Sequence, residues 1–176
     1  MKNEITYLHG FRSFFDLNKP KVQTLSKLGP VDGPQIDYEN DSLSEIEEKV
    51  CDVRPVGDVL IGTSMGGWLA AHCGIKYGIP FVAINPVTNP QIQAVGRHIR
   101  DVHDYPSFPI EGSRCGLILL DEGDDVLDSL STFDMLKVAY HVEMFPGGSH
   151  RFDHAEESVV LINNFIEYET ILYGLQ

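Results

Sequence analysis

The stretch Asp58-Val59-Leu60-Ile61-Gly62-Thr63-Ser64-Met65-Gly66-Gly67-Trp68-Leu69-Ala70-Ala71 decides how this chain is read. A short apolar run suited to a buried strand enters a turn bounded by Gly62 and Gly66. The turn opens a helix-like segment, Trp68–Cys73. The pattern predicts strand, sharp turn and helix, with Ser64 at the apex. A serine held there, at the carboxyl edge of a sheet, projects its hydroxyl into an open cleft. Gly62 and Gly66 flank it because side chains at those positions would collide with the neighbouring strand and helix. Gly67, Ala70 and Ala71 let the helix lie close to the sheet. The N–H of Met65 falls at the helix start, where it has no intrahelical partner and can face a developing oxyanion.

Outward from this turn the chain alternates. Apolar runs at Ile5–Leu8, Gln35–Tyr38 (the weakest), Val59–Ile61, Phe81–Ile84, Leu117–Leu120 and Tyr140–Met144 predict six strands. Helical spacing or helix formers fill Pro20–Leu28, Ser42–Val50, Trp68–Tyr77, Pro90–Ile99, Ser129–Lys137 and His154–Leu172. Ser42 with Glu45 three residues later is a capping box. Strand and helix repeated in this way predict an α/β fold with a mostly parallel sheet covered on both faces. The 176 residues fit one domain, 1–176. The longest connection without a clear strand, Pro86–Gly112, carries four of the ten prolines and is the candidate lid.

Composition narrows the function classes. The chain is 43% hydrophobic and 22% charged, which excludes a disordered or fibrous protein. Its formal charge of −13 repels phosphate backbones and anionic lipid, so neither nucleic acid nor a membrane surface is expected as partner. Three widely spaced cysteines, Cys51, Cys73 and Cys115, predict reduced thiols rather than a disulfide framework. No apolar run approaches the length of a signal core or a membrane span. A cytoplasmic protein is expected.

An unactivated serine is a poor nucleophile, so Ser64 needs partners. A serine on such a turn is followed in the chain first by an acid and then by a histidine. The run Gly116–Leu120 is followed by Asp121-Glu122-Gly123-Asp124-Asp125-Val126-Leu127. Asp124 and Asp125 both qualify as the acid. Asp124 is favoured because Val126 and Leu127 can turn back into the core, leaving Asp125 solvated or capping the next helix. Phe145-Pro146-Gly147-Gly148-Ser149-His150 then presents His150 after the last strand. His150 would take the serine proton, and Asp124 would hold its tautomer. Tyr7-Leu8-His9-Gly10-Phe11 supplies a further turn, whose Phe11 N–H is the second candidate oxyanion donor beside Met65. His9 is expected to be structural.

The remaining candidates are secondary. Trp68, Tyr105 and Phe108 are candidates for lining an acyl pocket, although core packing is the default for each. Arg12 and Arg151 could neutralise an anionic group on a substrate. His98 and His103 lie among Asp101 and Asp104, and His150 and His154 flank Asp153. Neither group has the tight spacing and third ligand of a metal site, so no metal is expected.

Together, Tyr-Leu-His-Gly-Phe, Gly-Thr-Ser-Met-Gly-Gly, Ile84-Asn85-Pro86, Glu-Gly-Asp-Asp-Val-Leu-Asp and Gly-Gly-Ser-His-Arg-Phe resemble the small YqiA-type esterases of the α/β-hydrolase superfamily. The resemblance runs from Tyr7 to about Phe165. It implies a compact, single-domain α/β-hydrolase fold and hydrolysis of acyl esters, with acyl-CoA thioesters as the alternative. The family's nucleophile falls on Ser64, its acid on Asp124 and its base on His150. The chain departs from the pattern at Thr63, Met65 and Trp68, where Ser, Leu and Tyr are nearer to it. It departs again at Ser149-His150-Arg151, where Asn-His-Ala is nearer.

The expectation is therefore a serine esterase acting on a small-molecule acyl ester through an acyl-enzyme, with no cofactor. The competing reading is a hydrolase fold kept as a binding module with the three residues idle.

Overall fold

Five of the six apolar runs and one further segment become the strands of one parallel sheet in the computed structural model, which describes residues 4–53, 59–110 and 115–173, the side chains of 170–173 aside. They are β1 (Ile5–Leu8), β2 (Val31–Asp32), β3 (Val59–Thr63), β4 (Phe81–Ile84), β5 (Gly116–Asp121) and β6 (His141–Phe145). Their order across the sheet is β2-β1-β3-β4-β5-β6, and every pairing is parallel. Parallel neighbours need crossovers, and the described residues include five α-helices: α1 (Pro20–Leu25), α2 (Leu43–Val53), α3 (Met65–Tyr77), α4 (Ser129–Leu136) and α5 (Ala155–Tyr173). β1, β3, β4 and β5 are buried at every position, as strands covered on both faces must be.

The core lies in two layers. On one face Leu8, Leu60, Ile118 and Leu120 pack with Ile46 and Val50 of α2, Trp68 and Leu69 of α3, and Leu136 of α4. On the other, Ile61, Val82 and Leu119 pack with Val22 and Leu25 of α1 and Ile162 and Ile166 of α5. Each such aliphatic side chain contributes about 2 kcal/mol through the apolar area it removes from water.

Local chemistry sets the helix ends. At α2 the capping box forms: the Ser42 N–H donates to Glu45 Oε2 at 2.7 Å, and the Glu45 N–H reaches Ser42 Oγ at 3.4 Å. The Asp128 carboxylate caps α4 by accepting from the Ser131 N–H at 2.9 Å. α3 stops at Gly78, whose φ of 68° suits a residue without a Cβ.

Two expected elements are corrected. Gln35–Tyr38 is not a strand; the second strand is Val31–Asp32. The Ile36 N–H donates to His9 Nε2 at 3.0 Å instead of joining a ladder, and the Tyr38 hydroxyl donates to the His9 carbonyl at 3.1 Å. Pro90–Ile99 is not a full helix but contains a 3₁₀ turn at Ala94–His98. Gly96 sits against Pro90, where a Cβ would come within 1.9 Å of the Pro90 carbonyl oxygen. Asp58 of the elbow stretch and the end of the 86–112 segment lie outside the described residues.

Sheet register brings the functional candidates together. Leu8 pairs with Gly62, Thr63 with Ile84, Ile84 with Leu119 and Asp121 with Phe145. The turns after β1, β3, β5 and β6 therefore emerge along one carboxyl edge.

Candidate active site

Ser64 links β3 to α3 with φ 57° and ψ −119°, a conformation that side-chain-bearing residues rarely adopt. The surroundings hold it there. Its N–H donates to the Ile84 carbonyl at 2.9 Å, and its own carbonyl accepts from Gly67, Trp68 and Val87. The glycines are obligatory for close approach. A Cβ on Gly62 would lie 1.9 Å from the Gly66 oxygen, and one on Gly66 would lie 2.0 Å from the Leu8 oxygen.

His150 Nε2 lies 2.9 Å from Ser64 Oγ, and its Nδ1 lies 2.8 Å from Asp124 Oδ2. The other Asp124 oxygen accepts from the Val126 and Leu127 N–H groups, each at 2.8 Å. With Asp124 as acceptor, Nδ1 carries the proton and Nε2 turns its lone pair to the serine hydroxyl. The Asp124 side chain is 2% exposed, whereas the His150 side chain is 20% exposed. Burial alone would raise the Asp124 pKa. The bond from His150 and the two backbone N–H groups outweigh it and hold the carboxyl below its ordinary value. Asp125 meets the histidine only at its backbone, where the His150 N–H donates to Asp125 Oδ1 at 3.3 Å.

The turn after β1 runs beside the serine. A Cβ on Gly10 would lie 3.3 Å from Ser64 Cβ and 3.9 Å from Ser64 Oγ. The Gly10 carbonyl accepts from His9 Nδ1 at 2.9 Å and from the Ser13 N–H at 3.2 Å. A trans peptide points its N–H opposite to its carbonyl, so these bonds also aim the Phe11 N–H. His9 is the structural residue expected: Nε2 accepts from Ile36, which leaves the proton on Nδ1. Burial pushes its pKa down and keeps the ring neutral.

A cleft of about 150 Å³ opens at Ser64. Val87, Gln93, Ala94 and Val95 form one side, and Val126, Leu127 and Asp128 the other. The 86–110 segment thus supplies a wall. It is tied down: Gln93 Oε1 accepts from the Thr88 and Asn89 N–H groups at 2.9 and 3.0 Å, and the Phe108 N–H donates to the Thr88 carbonyl.

A family model described as "Uncharacterised protein family (UPF0227)" matches residues 4–167. The chain belongs to UPF0227. It is 30% identical over 164 residues to a UPF0227 protein of Yersinia pseudotuberculosis serotype O:1b, covering 84% of this chain and 90% of that one. It is 26% identical over 163 residues to a UPF0227 protein of Shewanella sp. strain ANA-3, with the same coverage. Among solved structures, the UPF0227 chain superposes on Est1E from Butyrivibrio proteoclasticus with a TM-score of 0.67 at 14% identity, covering 96% of this chain and 88% of that one. The carboxylesterase CesB of Bacillus subtilis gives 0.61 at 14%, with 98% and 84% covered. Alpha/beta hydrolase domain-containing protein 10 from mouse gives 0.64 at 15%, with 98% and 90% covered. At these identities the likeness establishes the fold, which is that of the α/β hydrolases.

The aromatic candidates of the UPF0227 chain lie elsewhere than along the cleft. Trp68 and Tyr105 are fully buried and Phe108 nearly so. Trp68 packs on His72 and Tyr105, and its Nε1–H donates to the Pro106 carbonyl. Phe108 packs edge-on to Phe81 and Tyr140. Helix position, not proximity in sequence to Ser64, turned Trp68 inward. Arg12 is exposed and paired with Glu39 at 2.7 Å, and Arg151 is exposed; neither lines the cleft.

Sequence reasoning did not find the groups behind His150. The Asn85 side chain donates to the Ser149 and His150 carbonyls at 3.1 and 3.4 Å and accepts from the Asp121 N–H at 2.8 Å. The available signal was a polar residue at each carboxyl strand end, Asn85 after β4 and Asp121 closing β5. Among the described residues, no group of three histidine, cysteine or acidic side chains is placed to share a metal ion. No described helix is long and apolar enough to cross a membrane.

Proposed function

We propose that this UPF0227 chain is a serine esterase that hydrolyses small, uncharged carboxylic esters. One observation carries the reading: the hydrogen-bond chain from Ser64 Oγ to His150 Nε2 at 2.9 Å and from His150 Nδ1 to Asp124 Oδ2 at 2.8 Å. Ser64 Oγ attacks the acyl carbonyl while its proton passes to His150 Nε2. The Met65 and Phe11 N–H groups stabilise the oxyanion. Collapse breaks the bond to the alcohol oxygen, which takes the proton from His150. A water then gives its proton to His150 and attacks the acyl-enzyme, releasing the acid and restoring Ser64. Asp124 remains ionised throughout and stabilises the imidazolium. The sequence of steps uses no cofactor.

The cleft supports the substrate class. Its walls are apolar except for Gln93 and Asp128. Its volume, about 150 Å³, is below that of sites built for drug-sized ligands, which favours a short acyl group. An anionic thioester such as an acyl-CoA is disfavoured, because Arg12 is occupied by Glu39 and the chain carries a net charge of −13.

The test is labelling by a fluorophosphonate probe, wild type against Ser64→Ala, followed by a panel of p-nitrophenyl esters. Stoichiometric labelling of the wild type alone, with highest kcat/KM on short neutral chains, is expected. A folded wild type that takes up no label would sink the esterase reading. A preference for acyl-CoA over short esters would replace the substrate class.

A further inference from the structure

Behind His150 lies a second carboxylate–imidazole pair that the reaction above does not use. Asp121 is the last residue of β5 and is fully buried. A buried carboxylate is costly unless its oxygens are saturated by donors, and the donors here are specific. Oδ2 accepts from the Ser149 N–H at 3.1 Å and from the Asp153 N–H at 2.8 Å. Oδ1 lies 2.7 Å from His154 Nδ1. All three donors belong to the segment that carries His150, two on one side of it in contact order and one on the other. The His154 ring is held in turn by stacking on Phe145, with centroids 5.1 Å apart and planes 12° apart.

The glycines before His150 fit the same arrangement. Gly148 has φ 74°, and a Cβ on it would lie 2.1 Å from Asp121 Oδ2. Only a glycine lets the chain lie over the carboxylate at this distance. From the other side, the Asn85 amide donates to the Ser149 and His150 carbonyls while its oxygen accepts from the Asp121 N–H. The N–H groups on either side of the histidine are therefore tied to Asp121 at the end of β5, and the carbonyls to Asn85 after β4, which is itself bonded to the Asp121 N–H.

We infer that Asp121, with His154 as its second-rank donor, is a positioning residue that clamps the 148–154 turn and so sets the reach of His150 to both Ser64 and Asp124. The clamp is separate from the Asp124 bond, which orients the ring; Asp121 fixes the backbone from which the ring projects. It rests on the proposed role of His150 for its kinetic consequence, and on geometry alone for its structural one. Charge-assisted bonds of this kind are the strong ones, and a small displacement of a base costs rate out of proportion to its size.

The test uses Asp121→Asn, Gly148→Ala, His154→Phe and His154→Asn, the last placing an amide N–H where Nδ1 stood. Two readouts are taken on folded protein. The first is the ring-nitrogen and low-field Nδ1–H NMR signals of His150, which need no substrate. The second is kcat and KM per site titrated with fluorophosphonate. Asp121→Asn and Gly148→Ala are expected to lose the low-field His150 signal and about tenfold in kcat, with KM within about twofold. His154→Phe should show a smaller loss of both, and His154→Asn should recover them. A low-field His150 signal unchanged in Asp121→Asn overturns the clamp; if that variant does not fold, an unchanged signal in His154→Phe does so. A wild type without label would remove the esterase reading while leaving the NMR result to decide the clamp.

Discussion

His150 Nε2 stands 2.9 Å from Ser64 Oγ although 86 positions separate the two residues in the chain. The closeness follows from sheet order. β3 and β6 are not neighbours, and the turns that follow them meet only because all six strands run parallel and end on the same edge. Asp124, from the turn after β5, approaches the histidine from between them.

The two adjacent aspartates should separate sharply. Asp124→Asn removes the acceptor that keeps the proton on Nδ1 and should lower kcat by about 10⁴. Asp125 touches only the His150 N–H, at 3.3 Å, so Asp125→Asn should lose no more than about threefold. Steady-state kinetics on one ester with both variants decides the matter. A larger loss in Asp125→Asn would reassign the acid.

Two glycines near the serine should fail in different ways. A Cβ at Gly66 would meet backbone oxygens of Leu8 and His9 at 2.0 and 2.6 Å, so Gly66→Ala should abolish soluble protein. At Gly10 the nearest atoms lie at 3.2 and 3.3 Å, a contact that small shifts can relieve. Gly10→Ala should fold, with a Tm within a few degrees of wild type, and lose about tenfold in kcat through the displaced Phe11 N–H. Expression yield, thermal melting and kinetics distinguish these outcomes.

Acid should weaken the fold in two stages. Folding lowers the His9 pKa below its ordinary 6.5, so the unfolded chain binds the proton more readily. Stability is full above pH 6.5 and falls as the pH drops through the lower folded value. Asp124, also lowered by folding from 3.8, adds a second decline below that pH. Urea midpoints at pH 7.5 and 5.5 should differ in the wild type and differ less in His9→Gln. Equal pH dependence in the two proteins would contradict the assignment to His9.

Chain-length preference should follow the cleft walls, not the large aromatics. Trp68→Phe loses the bond to Pro106 and some core volume, about 2 kcal/mol of stability, while leaving the ranking of acyl esters unchanged. Val95→Phe or Val126→Trp should shift the preference toward the shortest esters. Ranking p-nitrophenyl acetate, butyrate and octanoate for each variant gives the answer. A reordered ranking in Trp68→Phe would place the indole in the site after all.

Backbone strain at the serine gives a further expectation. Ser64 has φ 57°, which glycine adopts freely and serine does not. Ser64→Gly should raise thermal stability, by up to about 2 kcal/mol, while abolishing turnover. A destabilised Ser64→Gly would mean that the hydroxyl supports the fold.

How legible this molecule was from its residues depended on how local each decision is. The elbow could be read because Gly62, Ser64 and Gly66 impose their own geometry within five residues. The meeting of Asp124 and His150 beside Ser64 could be read because parallel strands end on one shared edge. Gln35–Tyr38 has the residues of a strand, but the acceptor for its Ile36 N–H is the His9 ring, 27 positions away in the chain, which takes the place of a neighbouring strand. Trp68 takes the core packing that is the default for an aromatic, because its position along α3 faces the core and burial of an indole outweighs proximity to the serine. Asp121 carries no burial signal of its own, because an acid at the end of an apolar run resembles the start of a solvated loop. Its three donors come from a segment about thirty positions later.

The strain at Ser64 also bears on how the turn is held. A residue at φ 57° and ψ −119° would relax if its neighbours let go. The Ile84 carbonyl and the Gly67, Trp68 and Val87 N–H groups share that load, so the sheet edge and the helix start act as a spring clip around one serine.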